Sequence, residues 1–331
     1  MTTLLPIFAA ALLVAVSMTP IARHFAPRWG FVDQPAARKV HTSPIPRFGG
    51  VAMVGGVTAA LLVFEDRFGI TQLMSILIAA AWVSALGAWD DRWGLRPLYK
   101  LLGQVIAAVF LILTGVQVSF LPSMYVNWAV TVIWVVGLTN AINFLDNMDG
   151  LSGGIVAIAA TFFLFMAVQS GQYLVGSLAA ALMGASVGFL IYNFSPATIF
   201  MGDAGSLFLG FVVAVLAIKM RFPGHAAIVT WMAPVLVLGL PILDTTLVVI
   251  SRIRRGLHPV TPGKDHVSHR LVCLGFTQRE AVMLLYLVGG VLGIVALFVT
   301  QAGAGEAYLL GGAVLLVALY SLWRLERVPI V

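Results

Sequence analysis

Only 13 Asp and Glu occur among 331 residues, and several stand in small groups between long apolar runs. The first group is Asp90-Asp91, followed by Arg92, Arg96, Lys100 and Gln104. Two adjacent carboxylates at the edge of a low-dielectric region cannot both ionise cheaply, and a divalent cation or a metal–polyphosphate complex relieves the repulsion. A hydrated loop in which Arg92 and Arg96 balance the pair is the plainer alternative. The second group, Asn140, Asn143, Asp146 and Asp149, repeats every three residues. A helix continued through it carries one inclined polar stripe. Carboxamide and carboxylate oxygens are hard ligands suited to Mg²⁺, and they also hydrogen-bond a sugar or base. Asn and Asp favour helix ends as well, but four in register exceed what a cap requires.

The third group is Phe200-Met201-Gly202-Asp203-Ala204-Gly205-Ser206-Leu207. Gly202 and Gly205 let the backbone approach a ligand. Ser206 is expected to open the next helix, whose free N–H groups favour a phosphate; Asp203 as a mere cap of that helix is the alternative. The fourth is the loop 251–279, with Arg252, Arg254, Arg255, His258, Lys264, Asp265, His266, His269 and Arg270. Arginines hold phosphates through bidentate contacts, and His266, His269 and Arg270 share a helical face at this spacing. Ordinary charge bias of cytoplasmic loops explains the arginines equally well but not the histidines, and two histidines without a third ligand make a poor zinc site. A weaker, proline-stiffened basic turn offers Lys39 and Arg47 as substrate-binding candidates. Asp244, an ionisable group about two turns inside an apolar run, is a functional candidate by its place alone, although pairing with a neighbouring arginine would also satisfy it.

These groups need elements to carry them. The chain is 60% hydrophobic and 10% charged, with a mean hydropathy of +1.01. A soluble domain carries about 25% charge. Apolar runs of about 17–25 residues are long enough to cross a bilayer as helices, and they lack the alternation of a membrane β-barrel. The expectation is an all-α polytopic membrane protein with about eleven transmembrane helices, at 3–21, 48–64, 70–89, 98–114, 126–140, 153–169, 173–192, 206–219, 227–250, 281–299 and 306–323. With the N-terminus outside and the C-terminus cytoplasmic, every Lys and Arg but Arg67, Lys219 and Arg221 falls on the cytoplasmic side, as the positive-inside rule requires. Topology therefore accounts for the net charge of +6 without nucleic-acid binding. The first run reads as a retained span and not a cleaved signal. Cys273 alone forms no intramolecular disulfide. Without internal repeat or soluble insertion, residues 1–331 read as a single transmembrane domain. All the acidic groups then face the cytoplasm, beside apolar walls open to lipid. That combination suits phosphoryl transfer from a water-soluble donor to a lipid acceptor.

The four ordered motifs, Asp90-Asp91, 140–151, 202–207 and Asp265-His266-Val267-Ser268-His269-Arg270, resemble those of the polyprenyl-phosphate N-acetylhexosamine-1-phosphate transferases (glycosyltransferase family 4). The bacterial branch that makes undecaprenyl-diphosphate-GlcNAc is nearest, and the resemblance covers about residues 30–275. It implies transfer of a sugar 1-phosphate, most simply GlcNAc-1-phosphate, from a UDP-sugar to undecaprenyl or another polyprenyl phosphate, with release of UMP. It implies Mg²⁺, with Mn²⁺ as an alternative, at Asp203 with Asn143 close by. Asp90 and Asp91 would act at the lipid phosphate, one of them as base or nucleophile. Asn140, Asp146 and Asp149 would contact the nucleotide or hold the site, and His266, His269 and Arg270 would bind the diphosphate or sugar. The place implied is the bacterial cytoplasmic (inner) membrane, with the active site on its cytoplasmic face; a homodimer is compatible with this. UDP-MurNAc-pentapeptide or UDP-GalNAc as donor are the nearest alternatives, and a membrane transporter is the distant one.

Overall fold

Inside a bilayer every backbone N–H and C=O must be paired within its own segment, so apolar runs become helices. The computed structural model describes residues 3–34, 44–64, 70–223 and 227–329. In chain order it contains α1 (Leu4–Trp29), β1 (Val32–Asp33), β2 (Ile45–Pro46), α2 (Gly50–Val63), α3 (Ile70–Trp93), α4 (Pro97–Leu113) and α5 (Met124–Leu145). There follow α6 (Leu151–Gln169), α7 (Tyr173–Asn193), α8 (Gly202–Lys219), α9 (Ala227–Thr230), α10 (Met232–Val237) and α11 (Gly239–Arg254). Last come α12 (Val267–Cys273), α13 (Gln278–Gln301) and α14 (Ala304–Glu326). Among the described residues, α1, α3, α5, α6, α7, α8, α13 and α14 are long and apolar enough to cross a membrane, while α2 and α4 are shorter apolar helices. The protein is a multi-pass helical membrane protein.

Four expectations change. The continuous ninth span at 227–250 is instead two short helices, α9 and α10, followed by the 16-residue α11, with interruptions at Trp231 and Leu238. Pro234 and Pro241 have no N–H to donate to the preceding turn, and their rings crowd the carbonyl four residues back. Asp90 and Asp91 lie within the last turn of α3, not in a loop after it. Likewise α8 starts at Gly202, so Asp203 is in its first turn and Ser206 lies a turn inside. The polar stripe breaks, because α5 ends at Leu145 and leaves Asp146 as its C-cap with Asp149 beyond.

At the centre stands α8, where every residue except Asp203 and Lys219 is buried. A helix apolar on all sides belongs in the middle of a bundle. It packs against α3 and α5, with α2, α6 and α7 around them. In α14, by contrast, Ala307 is the one buried residue. Small residues allow the close approaches that position the site. A Cβ on Gly87 would collide with the Asp203 carbonyl, and one on Gly50 with the backbone of Gly205. The β1–β2 ribbon completes the frame. The Phe200 amide donates to the Pro46 carbonyl (2.8 Å), and the Gly49 and Gly50 amides donate to the carbonyls of Phe200 and Met201 (2.9 Å each). Arg47, between these contacts, is thereby set beside the start of α8.

Candidate active site

The Asp91 carboxylate has no exposed side-chain surface. Its Oδ1 accepts the Asp203 amide at 2.9 Å and its Oδ2 the Ala204 amide at 3.0 Å. These are the free N–H groups at the start of α8, where the helix dipole also favours negative charge. The anion expected at this helix end is therefore the protein's own carboxylate, so the end is closed to a substrate phosphate. Gly202 permits the approach: its φ is +69°, and a side chain there would strike the Asp91 carboxylate. Arg47 completes the set, donating to Asp91 Oδ1 through Nε (2.7 Å) and Nη2, with Asp33 at 3.4 Å from Nη1. Burial works against the Arg47 charge, but Asp91 and Asp203 outweigh it and raise its pKa.

Asp90, one residue earlier on the helix, faces elsewhere. It accepts the Leu95 amide (2.7 Å) and the Lys100 ammonium (3.0 Å). Lys100 also donates to Asp203 Oδ2 and reaches Asn143 Oδ1 at 3.5 Å. Asn143 in turn donates from Nδ2 to Asp203 Oδ1 (3.1 Å) and to Ser206 Oγ (2.8 Å). One ammonium thus stands among three oxygen acceptors from α3, α5 and α8. Lys100 was visible only as a cation ten residues after Asp90. Its signal is Pro97, which suits the first position of a helix and so places Lys100 in the first turn of α4. Asp33, the further partner of Arg47, had no signal in the sequence.

The remaining predicted residues divide. Asn140 of α5 pairs with Gln104 of α4 and joins the two helices, while Asp149 accepts the Ala197 amide at 2.9 Å and braces the loop before α8. Asp146 is half-buried and makes no side-chain hydrogen bond to a described residue. Burial, then the charges of Asp203 and Asp91, push its pKa up to about 8. Lys39 lies outside the described residues.

The histidine loop docks on the end of α5. Ser268 Oγ donates to Asn147 Oδ1 at 2.6 Å, the His266 ring meets the Phe144 ring edge-on at 6.3 Å, and the Arg252 guanidinium lies over Phe144 at 5.6 Å. Arg252 and Arg255 grip Asp265 at 2.9 and 2.6 Å; although burial opposes it, they hold the Asp265 pKa down. Burial, with His266 nearby, lowers His269 to about 4, leaving it neutral at pH 7, and its buried Nδ1 has no partner among the described residues. Arg270 is a correction. Its Nε donates to the Asp265 carbonyl, Nη1 to the Leu325 and Val328 carbonyls, and Nη2 to Ser251 Oγ and Glu326. All five N–H groups are engaged, so Arg270 ties the loop to the end of α14 and has none left for a phosphate.

The Arg47–Asp91 pair carries a test. Removing one partner of a buried pair typically costs about 3–5 kcal/mol, because the other charge is left uncompensated. Arg47→Met is expected to lower the thermal unfolding midpoint in detergent sharply, and adding Asp91→Asn to restore part of the loss. An unchanged midpoint for Arg47→Met would show that the pair does not hold α8.

Sequence comparison adds a further finding. A profile described as glycosyl transferase family 4 matches residues 73–221. A probable undecaprenyl-phosphate N-acetylglucosaminyl 1-phosphate transferase of Bacillus subtilis is 36% identical over 304 residues, covering 89% of this chain and 84% of its own length. A decaprenyl-phosphate N-acetylglucosaminephosphotransferase of Mycolicibacterium smegmatis is 32% identical, covering 93% and 85%. An undecaprenyl-phosphate alpha-N-acetylglucosaminyl 1-phosphate transferase of Yersinia pestis is 27% identical, covering 83% and 78%. With the carboxylate pair, the Asn143–Asp203 contact and the histidine loop assembled on one helical frame, and with relatives matching along most of its length, the chain belongs to glycosyl transferase family 4.

Proposed function

We propose that this protein transfers N-acetylglucosamine 1-phosphate from UDP-N-acetylglucosamine to a polyprenyl phosphate, forming a polyprenyl-diphosphate sugar and releasing UMP. The observation that carries the reading is the convergence of Asp90, Asp203 and Asn143 on the Lys100 ammonium, at helix ends flanked by apolar walls. Relatives named for this chemistry support it.

The same three oxygens are the hard donors that Mg²⁺ or Mn²⁺ prefers, so the residues present fit the ion. Asp203 would hold it, with Asn143 alongside. Bound there, the ion would supply stabilisation of the negative charge that gathers on the diphosphate. In the reaction an oxygen of the lipid phosphate forms a bond to the sugar-bearing phosphorus. The bond from that phosphorus to the bridging oxygen breaks, and UMP leaves with the electron pair. Two anions that repel in water must be held together for this, and positioning supplies much of the rate. Lys100 donates to phosphate oxygens. Asp90 takes the remaining proton of the lipid phosphate, whereas Asp91, already accepting from Arg47 and two amides, keeps the start of α8 in place. Asp146 contacts the nucleotide side, and His269, being neutral, suits a sugar hydroxyl better than a phosphate. In topology we favour eleven crossings of the bacterial cytoplasmic membrane, α9 to α11 together making the ninth, with the N-terminus outside and the site on the cytoplasmic face.

Three measurements test this reading. In nanodiscs with undecaprenyl phosphate and Mg²⁺, UMP release is expected from UDP-N-acetylglucosamine ahead of UDP-GalNAc and UDP-MurNAc-pentapeptide. Asp203→Asn is expected to cut it about a hundredfold or more while leaving expression intact; wild-type turnover in that variant would remove Asp203 from the site. The pH dependence of kcat/KM reports the free enzyme. Burial and the neighbouring charges push the Asp146 pKa up to about 8, and the ionised carboxylate is the better acceptor for a nucleotide N–H or hydroxyl, so kcat/KM is expected to rise through that pH and Asp146→Asn to abolish the rise. Finally, Cys273 is exposed and the sole cysteine. A membrane-impermeant thiol reagent is expected to label it in inverted vesicles and not in intact spheroplasts, and the reverse pattern would invert the topology.

A further inference from the structure

A neighbouring arginine would satisfy Asp244, but the structure gives it a different partner. Arg252, the arginine two turns further along α11, is engaged with Asp265 and the Pro259 carbonyl. The Asp244 side chain is fully buried, and both its oxygens are spent on the start of the histidine loop. Oδ1 accepts the Val267 amide at 2.7 Å and Oδ2 lies 2.8 Å from His266 Nδ1. The first contact is explained by helix capping, since Val267 opens α12. The second is not needed for a cap. A carboxylate only accepts, so the Nδ1 facing it must carry the proton. The partner of one ring nitrogen decides what the other offers. His266 is thus left with Nε2 as its one nitrogen for a ligand, on a ring fixed between Asp244 below, Phe144 of α5 at 6.3 Å and His269 at 5.8 Å.

We propose that Asp244 is a positioning residue for the transfer reaction: it locks His266 in the Nδ1–H form and aims Nε2 at the phosphate-bearing donor. The proposal rests on the transferase reading above for what His266 meets, but not for the lock itself. In that form Nε2 is an acceptor for a hydroxyl or N–H of the bound UDP-sugar, whereas the opposite tautomer presents a donor there and loses that contact. A carboxylate behind an imidazole fixes the tautomer and orients the ring in this way in other catalytic settings.

Asp244→Asn separates positioning from capping. The carboxamide oxygen still accepts the Val267 amide, while its NH₂ now faces Nδ1 and requires that nitrogen to be an acceptor. The ring is therefore expected to switch to the Nε2–H form. With ¹⁵N-histidine labelling in nanodiscs at a pH where the ring is neutral, and with the His266 signals assigned by their loss in His266→Gln, the wild-type protein is expected to show a protonated Nδ1. Asp244→Asn is expected to show an unprotonated Nδ1. Its kcat for UMP release is expected to fall about 10–100-fold with an unfolding midpoint close to wild type, and the double variant Asp244→Asn/His266→Gln to be no slower than His266→Gln alone. A wild-type His266 protonated on Nε2 overturns the proposal, and this measurement needs no variant to fold. Additive losses in the double variant, or Asp244→Asn turnover equal to wild type, overturn it as well. The tautomer is read without turnover, so a wild-type protein that releases no UMP from any UDP-sugar would defeat the transferase reading while leaving the lock intact.

Discussion

The Asp91 carboxylate is the constraint on which the rest of the site depends. It has no exposed surface, sits at the start of the most buried helix, and accepts from the two amides there and from Arg47. A charge in that position is tolerable only because each partner is in place. Each partner in turn dictates something about the fold. The amides require α3 to touch α8 at Gly87, and Gly202 to adopt a conformation that favours glycine. The arginine requires the turn after β2 to be stitched to the segment before α8, as the backbone bonds from Phe200, Gly49 and Gly50 do. Asp203 comes out in the first turn of α8 as a consequence.

Adjacent residues on a helix are turned about 100° apart, and the site uses that rotation to give two neighbouring aspartates opposite environments. Asp91 faces the helix start and is saturated by hydrogen bonds. Asp90 faces Lys100, with about a fifth of its side chain still exposed. Two adjacent carboxylates cannot both ionise cheaply unaided, and each here has its own cation, Arg47 for Asp91 and Lys100 for Asp90. This leaves Asp90, Asp203 and Asn143 as a group whose charge is balanced by a lysine, a mobile side chain with a point charge. Such a balance is easier to exchange for substrate and ion than the forked arginine contact next to it.

The apolar runs and the positive-inside bias were legible in the sequence, and scarce polar residues in an apolar chain singled out the acidic groups; the nearness of Asn143 to Asp203 came from the family resemblance. What was illegible followed from facts that act between segments. The end of α3 and the start of α8 were misplaced, because Asp91 and the first amides of α8 satisfy one another and not a local cap. The expected phosphate site at the start of α8 failed for the same reason. Arg270 looked like a phosphate ligand by type and spacing, but its partners at Leu325, Glu326 and Val328 are more than fifty residues away. The broken ninth span was readable in principle, since Pro234 and Pro241 stand inside it; its hydropathy masked them.

The end of α5 joins the two halves of the site. Asn143 faces α8 and fixes Asp203, while the next residue, Phe144, faces the loop and receives the His266 ring and the Arg252 guanidinium. Just past the helix end, Asn147 holds Ser268. The histidine loop is therefore indexed to the carboxylate group through one turn of helix and the few residues after it, and not through the long segment 251–265 that precedes it in sequence. That loop is anchored from behind as well, by Asp244 in α11 and by Arg270 on the end of α14. A loop held on three sides by buried polar contacts has little freedom to adjust, which is what a site needs if it must set a sugar and a lipid phosphate at a fixed separation.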